Sequence, residues 1–318
     1  MTKWNKDNIG SQEGKVIIIT GGGSGIGLAA AAALASRGAE VILAVRNIQK
    51  GNRAAAQINN TGPAVRVNVM HLDLGDLSSV SVFATQFAEH YSRLDVLINN
   101  AGVMVPPYRR TKDNFELQFG TNHLGHFALT GLLLSMLVAT PESRIVTVSS
   151  IASRGGRIYF NNLDGSKGYN PMTFYRQSKI ANLLFGIELQ YRLESIGSGT
   201  KSFVCHPGIS ATNLVSRGSG KEAGWIVKQM MKLVAQPADM GALPTLFSAL
   251  HPDLSGGEFI GPDGWKNHRG YPVITGEETA LFNPDVATRL WDLSVELTGV
   301  KYRDLNAEGA EESIEQRA

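Results

Sequence analysis

Cysteine is nearly absent from this sequence. One thiol, Cys205, in 318 residues rules out an intramolecular disulfide and any zinc cluster built from several cysteines. Its neighbours Ser202-Phe203-Val204 mark it as a packing residue. Charge is sparse too: 18% of residues are charged, and 30 basic residues against 28 acidic ones leave a net charge of +2. With no Lys/Arg block interleaved with aromatics, no nucleic-acid partner is expected. Long hydrophobic runs are also missing. No apolar run is long enough to cross a bilayer, and Met1 to Gly14 is polar, without the apolar core of a secretory signal. The expectation is a chain with no transmembrane segment and a cytoplasmic location. The seven histidines show no metal-ligand spacing, so no metal is expected, and His123, His126 and His206 are read as structural or surface residues.

What is present is an ordinary globular composition, 43% hydrophobic, arranged as short apolar runs alternating with amphipathic stretches. Lys15 to Thr20, Val41 to Val45, Val65 to Leu72, Leu94 to Ile98, Arg144 to Ser150, Ser202 to Cys205 and Gly257 to Ile260 read as strands. Leu28 to Arg37, Gly51 to Asn60, Leu77 to Tyr91, Lys112 to Val138, residues 173 to 195, Pro237 to Leu250 and Glu277 to Thr298 read as helices. The Lys112 to Val138 stretch is weakened by Gly120, Gly125 and Gly131 and interrupted by Asn122 and His123. Asn122 either caps a local distortion or holds water at a site.

The first strand runs into Gly21-Gly22-Gly23-Ser24-Gly25-Ile26-Gly27 and then a helix. That order presents unpaired backbone N–H groups and a helix dipole to a pyrophosphate, and glycine lets the phosphate approach bare backbone. The spacing G-x-x-x-G-x-G departs from the commoner G-x-G-x-x-G dinucleotide fingerprint. At the end of the second strand stands Arg46, with no acidic residue between Val41 and Asn52. An acid there favours a free ribose 2′-hydroxyl and a base favours a 2′-phosphate, so Arg46 points to NADP(H), with Lys50 and Arg53 as helpers. Asp73-Leu74 and Asn99-Asn100-Ala101-Gly102 follow the third and fourth strands at the same sheet edge. Asp73 reads equally as a nucleotide contact or a turn residue.

Tyr175 and Lys179 stand four positions apart on the 173–195 helix, on one face, where an ammonium favours the phenolate of a neighbouring phenol. Ser150 reaches the same edge from the fifth strand. Residues 213–235, with Trp225, Met230 and Met231, read either as a lid over the site or as core. From residue 301 the chain reads as a mobile tail.

Together these motifs resemble the short-chain dehydrogenase/reductase family over roughly residues 14 to 300, taken as one domain. Thr20 to Gly27 matches its cofactor turn, Asn99 to Gly102 its Asn-Asn-Ala-Gly motif, and Ser150, Tyr175 and Lys179 its catalytic residues, with Asn122 as the fourth. The retinol-dehydrogenase-like and protochlorophyllide-reductase-like branch is closer still. Its marks are Ala44-Val45-Arg46-Asn47, Thr121 to Phe127, Ser178 to Phe185 and His206-Pro207-Gly208. The 24 residues between Ser150 and Tyr175 are more than many family members have.

The resemblance implies an α/β fold, a single-domain Rossmann-type doubly wound parallel sheet of seven strands in the order 3-2-1-4-5-6-7 flanked by helices. It implies an NADP-dependent oxidoreductase, an aldehyde or ketone (carbonyl) reductase or alcohol dehydrogenase, acting on an apolar small-molecule alcohol or carbonyl. Gly21, Ser24, Gly25, Ile26, Gly27, Arg46, Asp73, Leu74, Asn100, Ala101, Gly102, Tyr175, Lys179, Pro207, Gly208, Ile209 and Thr212 match cofactor-binding positions. In the implied mechanism Tyr175 moves the proton, Ser150 bonds the carbonyl oxygen, Lys179 holds the ribose and lowers the Tyr175 pKa, and Asn122 positions a water. By analogy, a homo-oligomer would pair through the helices carrying Asn122 and Tyr175. Two other readings are a non-catalytic NADP-binding sensor or scaffold on the same fold, against which all four polar site residues speak, and a sugar-nucleotide epimerase, which the glycine spacing and the short segment after residue 200 disfavour.

Overall fold

Ile17, Ile18 and Ile19 have no solvent exposure on either face, so the β-branched run that contains them, β1 (Val16–Thr20), lies at the centre of a sheet covered on both sides. The computed structural model describes residues 3–62, 66–209 and 236–305. The other strands are β2 (Glu40–Val45), β3 (Arg66–His71), β4 (Val96–Asn99), β5 (Arg144–Val148), β6 (Lys201–Cys205), β7 (Phe259–Pro262) and β8 (Pro272–Ile274). Their order is β3-β2-β1-β4-β5-β6-β7-β8. The first seven are parallel in the expected order, with Ile18 opposite Ile42 on one side and Leu97 on the other.

The eighth strand corrects the seven-strand expectation. It pairs antiparallel to β7, Ile260 opposite Ile274, and is only three residues long, beginning at a proline. Val273 and Ile274 are exposed, so no buried run announces the strand in the sequence.

Seven helices of 11 residues or more are described: α1 (Gly25–Ala35), α2 (Ile48–Asn59), α3 (Leu77–His90), α4 (Leu117–Ala139), α5 (Pro171–Ser195), α6 (Ala238–Leu250) and α7 (Pro284–Thr298). Successive residues of a strand face opposite sides. Ile17, Ile19, Val41 and Leu43 therefore pack with Leu34 of α1, Ala54 of α2 and Leu246 of α6. Ile18, Ile42 and Leu97 pack with Phe83 of α3, Phe127 of α4 and Phe185 of α5. By length and composition α4 could cross a bilayer, yet about two-thirds of its apolar window is buried in this core.

Several boundaries move for local reasons. Helix α1 begins at Gly25, so the end of the glycine turn is already its first turn. Helix α2 begins at Ile48 because the Asn47 side chain accepts the Lys50 N–H at 2.8 Å. The predicted helix from Glu277 to Thr298 is split: Gly276–Thr279 forms one turn, and α7 starts afresh with Asn283 as cap and Pro284 in the first position.

The domain is wider than 14–300. Trp4 packs edge-on against Phe247 at 5.3 Å between ring centroids, and Lys6 pairs with Asp239 at 2.7 Å. Tyr302, placed at the start of a mobile tail by the sequence reading, is buried against Phe127 and Trp291 and donates to the Phe127 carbonyl at 2.7 Å. Residues 306–318 and the 213–235 stretch read as a lid lie outside the described residues.

Candidate active site

The carboxyl ends of β1 and β4 meet over the glycine turn, and Thr20 joins them. Its Oγ1 accepts the Asn100 and Ala101 N–H groups, both at 2.9 Å, and the Asn100 amide donates to the Thr20 carbonyl at 2.8 Å. Two glycines are required by this closeness. Gly21 sits at φ +67°, and a Cβ there would meet the Ala101 Cα at 3.0 Å. A Cβ at Gly27 would stand 2.6 Å from the Asn100 amide nitrogen and 3.0 Å from the Gly21 carbonyl.

A cavity of about 570 Å³ runs along this edge of the sheet. Gly21, Ser24, Gly25, Ile26 and Gly27 line it, as do Arg46, Asp73, Leu74, Asn100, Ala101 and Gly102. So do Ser150, Tyr175, Lys179, Pro207, Gly208 and Ile209. Thr212 lies outside the described residues. Lys50 joins Arg46 in the lining, whereas exposed Arg53 does not. Asp73 lines the cavity, and its Oδ1 accepts the Gly75 N–H at 3.0 Å, as a turn residue would. Four further lining residues, Met104, Ile151, Ala152 and Met172, belong to no motif. Met172 had a signal, since it stands three residues before Tyr175 on one helix face.

Helix α5 is tied to the end of β5 by three bonds. Ser149 Oγ donates to the Lys179 carbonyl at 2.7 Å, while Lys179 Nζ and Asn182 Nδ2 donate to the Val148 carbonyl at 3.0 and 3.2 Å. These bonds hold Ser150 against Tyr175. The Tyr175 hydroxyl is buried, which raises its pKa, and its hydrogen bond with Ser150 opposes that rise. Burial lowers Lys179 to about 8. The Lys179 ammonium donates to the Val148 carbonyl, and the hydrogen bond that opposes the rise at Tyr175 comes from Ser150.

Asn122 lies behind the cavity wall in a π turn, Gly120–Leu124, which is the distortion its place in α4 implied. Its Oδ1 accepts the Val103 N–H at 2.8 Å, and its Nδ2 donates to the Val103 carbonyl and to Ser178 Oγ, both at 2.9 Å. The side chain clamps the loop after β4 to α5.

The three histidines are all buried. His206 Nδ1 accepts the Gly208 N–H at 3.2 Å, shaping the Pro207–Ile209 wall, and burial lowers its pKa to about 3. Cys205 is buried on β6 beside Thr245. Among the described residues no three His, Cys, Asp or Glu side chains converge as a metal site would require.

The cavity suits a dinucleotide on this chain's own features: bare glycine backbone and the first turn of α1 stand at one part of it, Arg46 and Lys50 at a second, and a buried phenol, hydroxyl and ammonium at a third.

The sequence pattern of the short chain dehydrogenases matches residues 15–218. Human retinol dehydrogenase 11 is 42% identical over 287 residues, covering 90% of this chain and 86% of that protein. Human retinol dehydrogenase 13 is 40% identical over 300 residues, covering 91% and 86%. Among solved structures, an uncharacterized protein from Mycobacterium paratuberculosis aligns with a TM-score of 0.78 at 41% identity, covering 95% of this chain and 99% of that one.

Proposed function

The chain belongs to the short-chain dehydrogenase/reductase family and is an oxidoreductase acting on CH–OH groups; from that premise we propose that it is NADP-dependent and acts on the alcohol or carbonyl of an apolar small molecule. The observation that carries this reading is the meeting of Ser150, Tyr175 and Lys179 in the cavity that also holds the glycine turn. When bound there, the nicotinamide supplies or accepts the hydride at C4.

Every other task falls to residues of the chain. The Tyr175 hydroxyl gives its proton to the carbonyl oxygen in reduction and takes it back in oxidation. Ser150 donates a hydrogen bond to that oxygen, where charge develops. Lys179 is the ribose partner, and its charge in a dry site favours the phenolate needed for oxidation. Arg46 and Lys50 form the cationic end that a 2′-phosphate requires. Met104, Ile151 and Met172 give the reacting end an apolar wall. The relatives are named for retinol, an apolar primary alcohol, which agrees with such a wall.

Tyr175→Phe provides the test, in NADPH oxidation with retinaldehyde and shorter aldehydes. The change is expected to lower kcat by about 10²–10⁴-fold while NADPH affinity stays within about threefold. Turnover retained in Tyr175→Phe removes Tyr175 from the mechanism.

A further inference from the structure

His126 uses both ring nitrogens in the space between β1 and the π turn. Nδ1 lies 2.9 Å from the carbonyl of Asn122 and Nε2 lies 2.9 Å from Thr20 Oγ1. A carbonyl only accepts, so Nδ1 carries a proton. Burial lowers the pKa of the ring to about 4, which leaves the imidazole neutral and Nε2 with its lone pair. Thr20 must then donate to Nε2. Its single proton is spent there, and its two lone pairs receive Asn100 N–H and Ala101 N–H. The competing acceptor, the Ile98 carbonyl, is farther away at 3.4 Å. Every polar atom of the Thr20 side chain and the His126 ring is thereby matched, donor to acceptor, in a site closed to water.

We propose that His126 is a positioning residue for the reaction assigned above, one that orients the Thr20 hydroxyl and the Asn122 carbonyl together and so couples the cofactor turn to the Asn122 clamp. The coupling acts on two lengths of chain at once. Thr20 sets where Asn100 and Ala101 stand over the glycine turn. Asn122 sets Val103 and Ser178, the latter one residue before Lys179. Without the imidazole, the Thr20 proton has only a distant acceptor and the buried Asn122 carbonyl loses a donor, so both ends relax independently.

The proposal rests on the NADP reading, and its test separates the two. NADPH affinity is measured for the unmutated protein, Thr20→Val, His126→Phe, His126→Gln and the Thr20→Val/His126→Phe double variant. Each single apolar change is expected to weaken binding about tenfold, and the double variant to lose much less than the product of the two. His126→Gln, which keeps a donor and an acceptor, is expected to recover part of the loss. Losses that simply multiply, or a His126→Phe protein that is thermally weakened yet binds NADPH normally, overturn the coupling. An unmutated protein that binds neither NADPH nor NADH overturns the NADP reading and this proposal with it. Should His126→Phe fail to fold, 15N spectra of the unmutated protein still decide: the proposal requires His126 protonated at Nδ1 and not at Nε2, and the opposite tautomer ends it.

Discussion

Lys179 Nζ lies 5.9 Å from the ring centroid of Tyr175 and donates to the carbonyl of Val148. No carboxylate accompanies this buried ammonium in its described hydrogen bonds, and burial lowers its pKa from 10.5 to about 8. Below pH 8 both folded and unfolded chains hold the proton, and the folded chain bears the cost of burying the charge. Between pH 8 and 10.5 the unfolded state binds more protons, so stability rises with pH. From pH 7.5 to 9.5 Lys179 is expected to add on the order of 2 kcal/mol to the unfolding free energy of the ligand-free protein. Urea denaturation of the unmutated protein and Lys179→Met reads this directly. Equal pH slopes in the two proteins would show that the ammonium pays no such cost.

At the opposite end of the cavity Arg46 is exposed and follows β2 directly, with Lys50 one helical turn further on. The Asn47 side chain between them is taken by its cap bond to Lys50 N. A 2′-phosphate would find two cations there, and a free 2′-hydroxyl would find Asp73 as the one carboxylate among the described lining residues. NADPH is expected to bind at least about tenfold more tightly than NADH, and Arg46→Ala to remove most of that difference while leaving NADH affinity unchanged. Because the cation is exposed, the preference should shrink as salt rises. Equal affinities for the two dinucleotides in the unmutated protein reject the assignment.

Strands buried on both faces leave continuous aliphatic runs, so β1, β2, β4, β5 and β6 and the sheet edge they share were legible from residues alone. Turns between them carry glycine and asparagine, so the cavity was legible as well. What escaped was whatever depends on partners far apart in the chain. Tyr302 is buried by Phe127 and Trp291, and nothing local to residue 302 says so. Strand β8 exists by pairing with β7, and its Pro272-Val273-Ile274 is too short and too exposed to mark a strand by itself. The orientation of Lys179 depends on which oxygen at the end of β5 is nearest, and one-turn spacing from Tyr175 cannot reveal that. Asn122 was legible as a distortion, but its three bonds need the loop after β4 and α5 to be placed first.

Arg154 and Glu278 are another pair invisible to local patterns, 124 residues apart. Glu278 is wholly buried, and its Oε1 accepts Arg154 Nε at 2.8 Å, while Arg154 also donates to Asn267 at 2.7 Å. Arg154 lies four residues after Ser150, in the 3₁₀ turn Ile151–Gly155. Removing one member of a fully buried pair costs about 3–5 kcal/mol, but Arg154 also reaches the exposed Glu277 at 3.2 Å and would keep that opposite charge. The Arg154 side chain keeps 26% exposure and can turn toward water, so about 2–3 kcal/mol is expected for Glu278→Leu. Adding Arg154→Met should reduce the loss to about 1 kcal/mol or less, because two apolar groups then fill the space of the pair. Chemical denaturation of the three variants measures this. A double variant no more stable than Glu278→Leu would mean that losing Glu278 carries no cost at Arg154.

Gly125 sets two effects of known size against each other. In a helix interior, replacing glycine by alanine gains up to about 1 kcal/mol of propensity, which by itself favours Gly125→Ala in α4. The added Cβ, however, would overlap the carbonyl oxygen of Leu74 and stand 2.9 Å from the Leu74 Cβ. An oxygen of the main chain cannot rotate away as a side chain would, so either α4 or the segment after β3 must move, a cost of about 1–3 kcal/mol for overpacking. Overlap with backbone is the severe end of that range, so a net loss of about 1–2 kcal/mol is expected from Gly125→Ala. Leu74 lines the cavity, so NADPH affinity should fall with stability. Gly10→Ala, where a Cβ meets nothing within 4 Å, serves as the control and should leave both unchanged. If Gly125→Ala instead stabilises the protein in thermal and chemical unfolding, α4 has slack against Leu74, and the close approach of helix to sheet edge is not what requires glycine there.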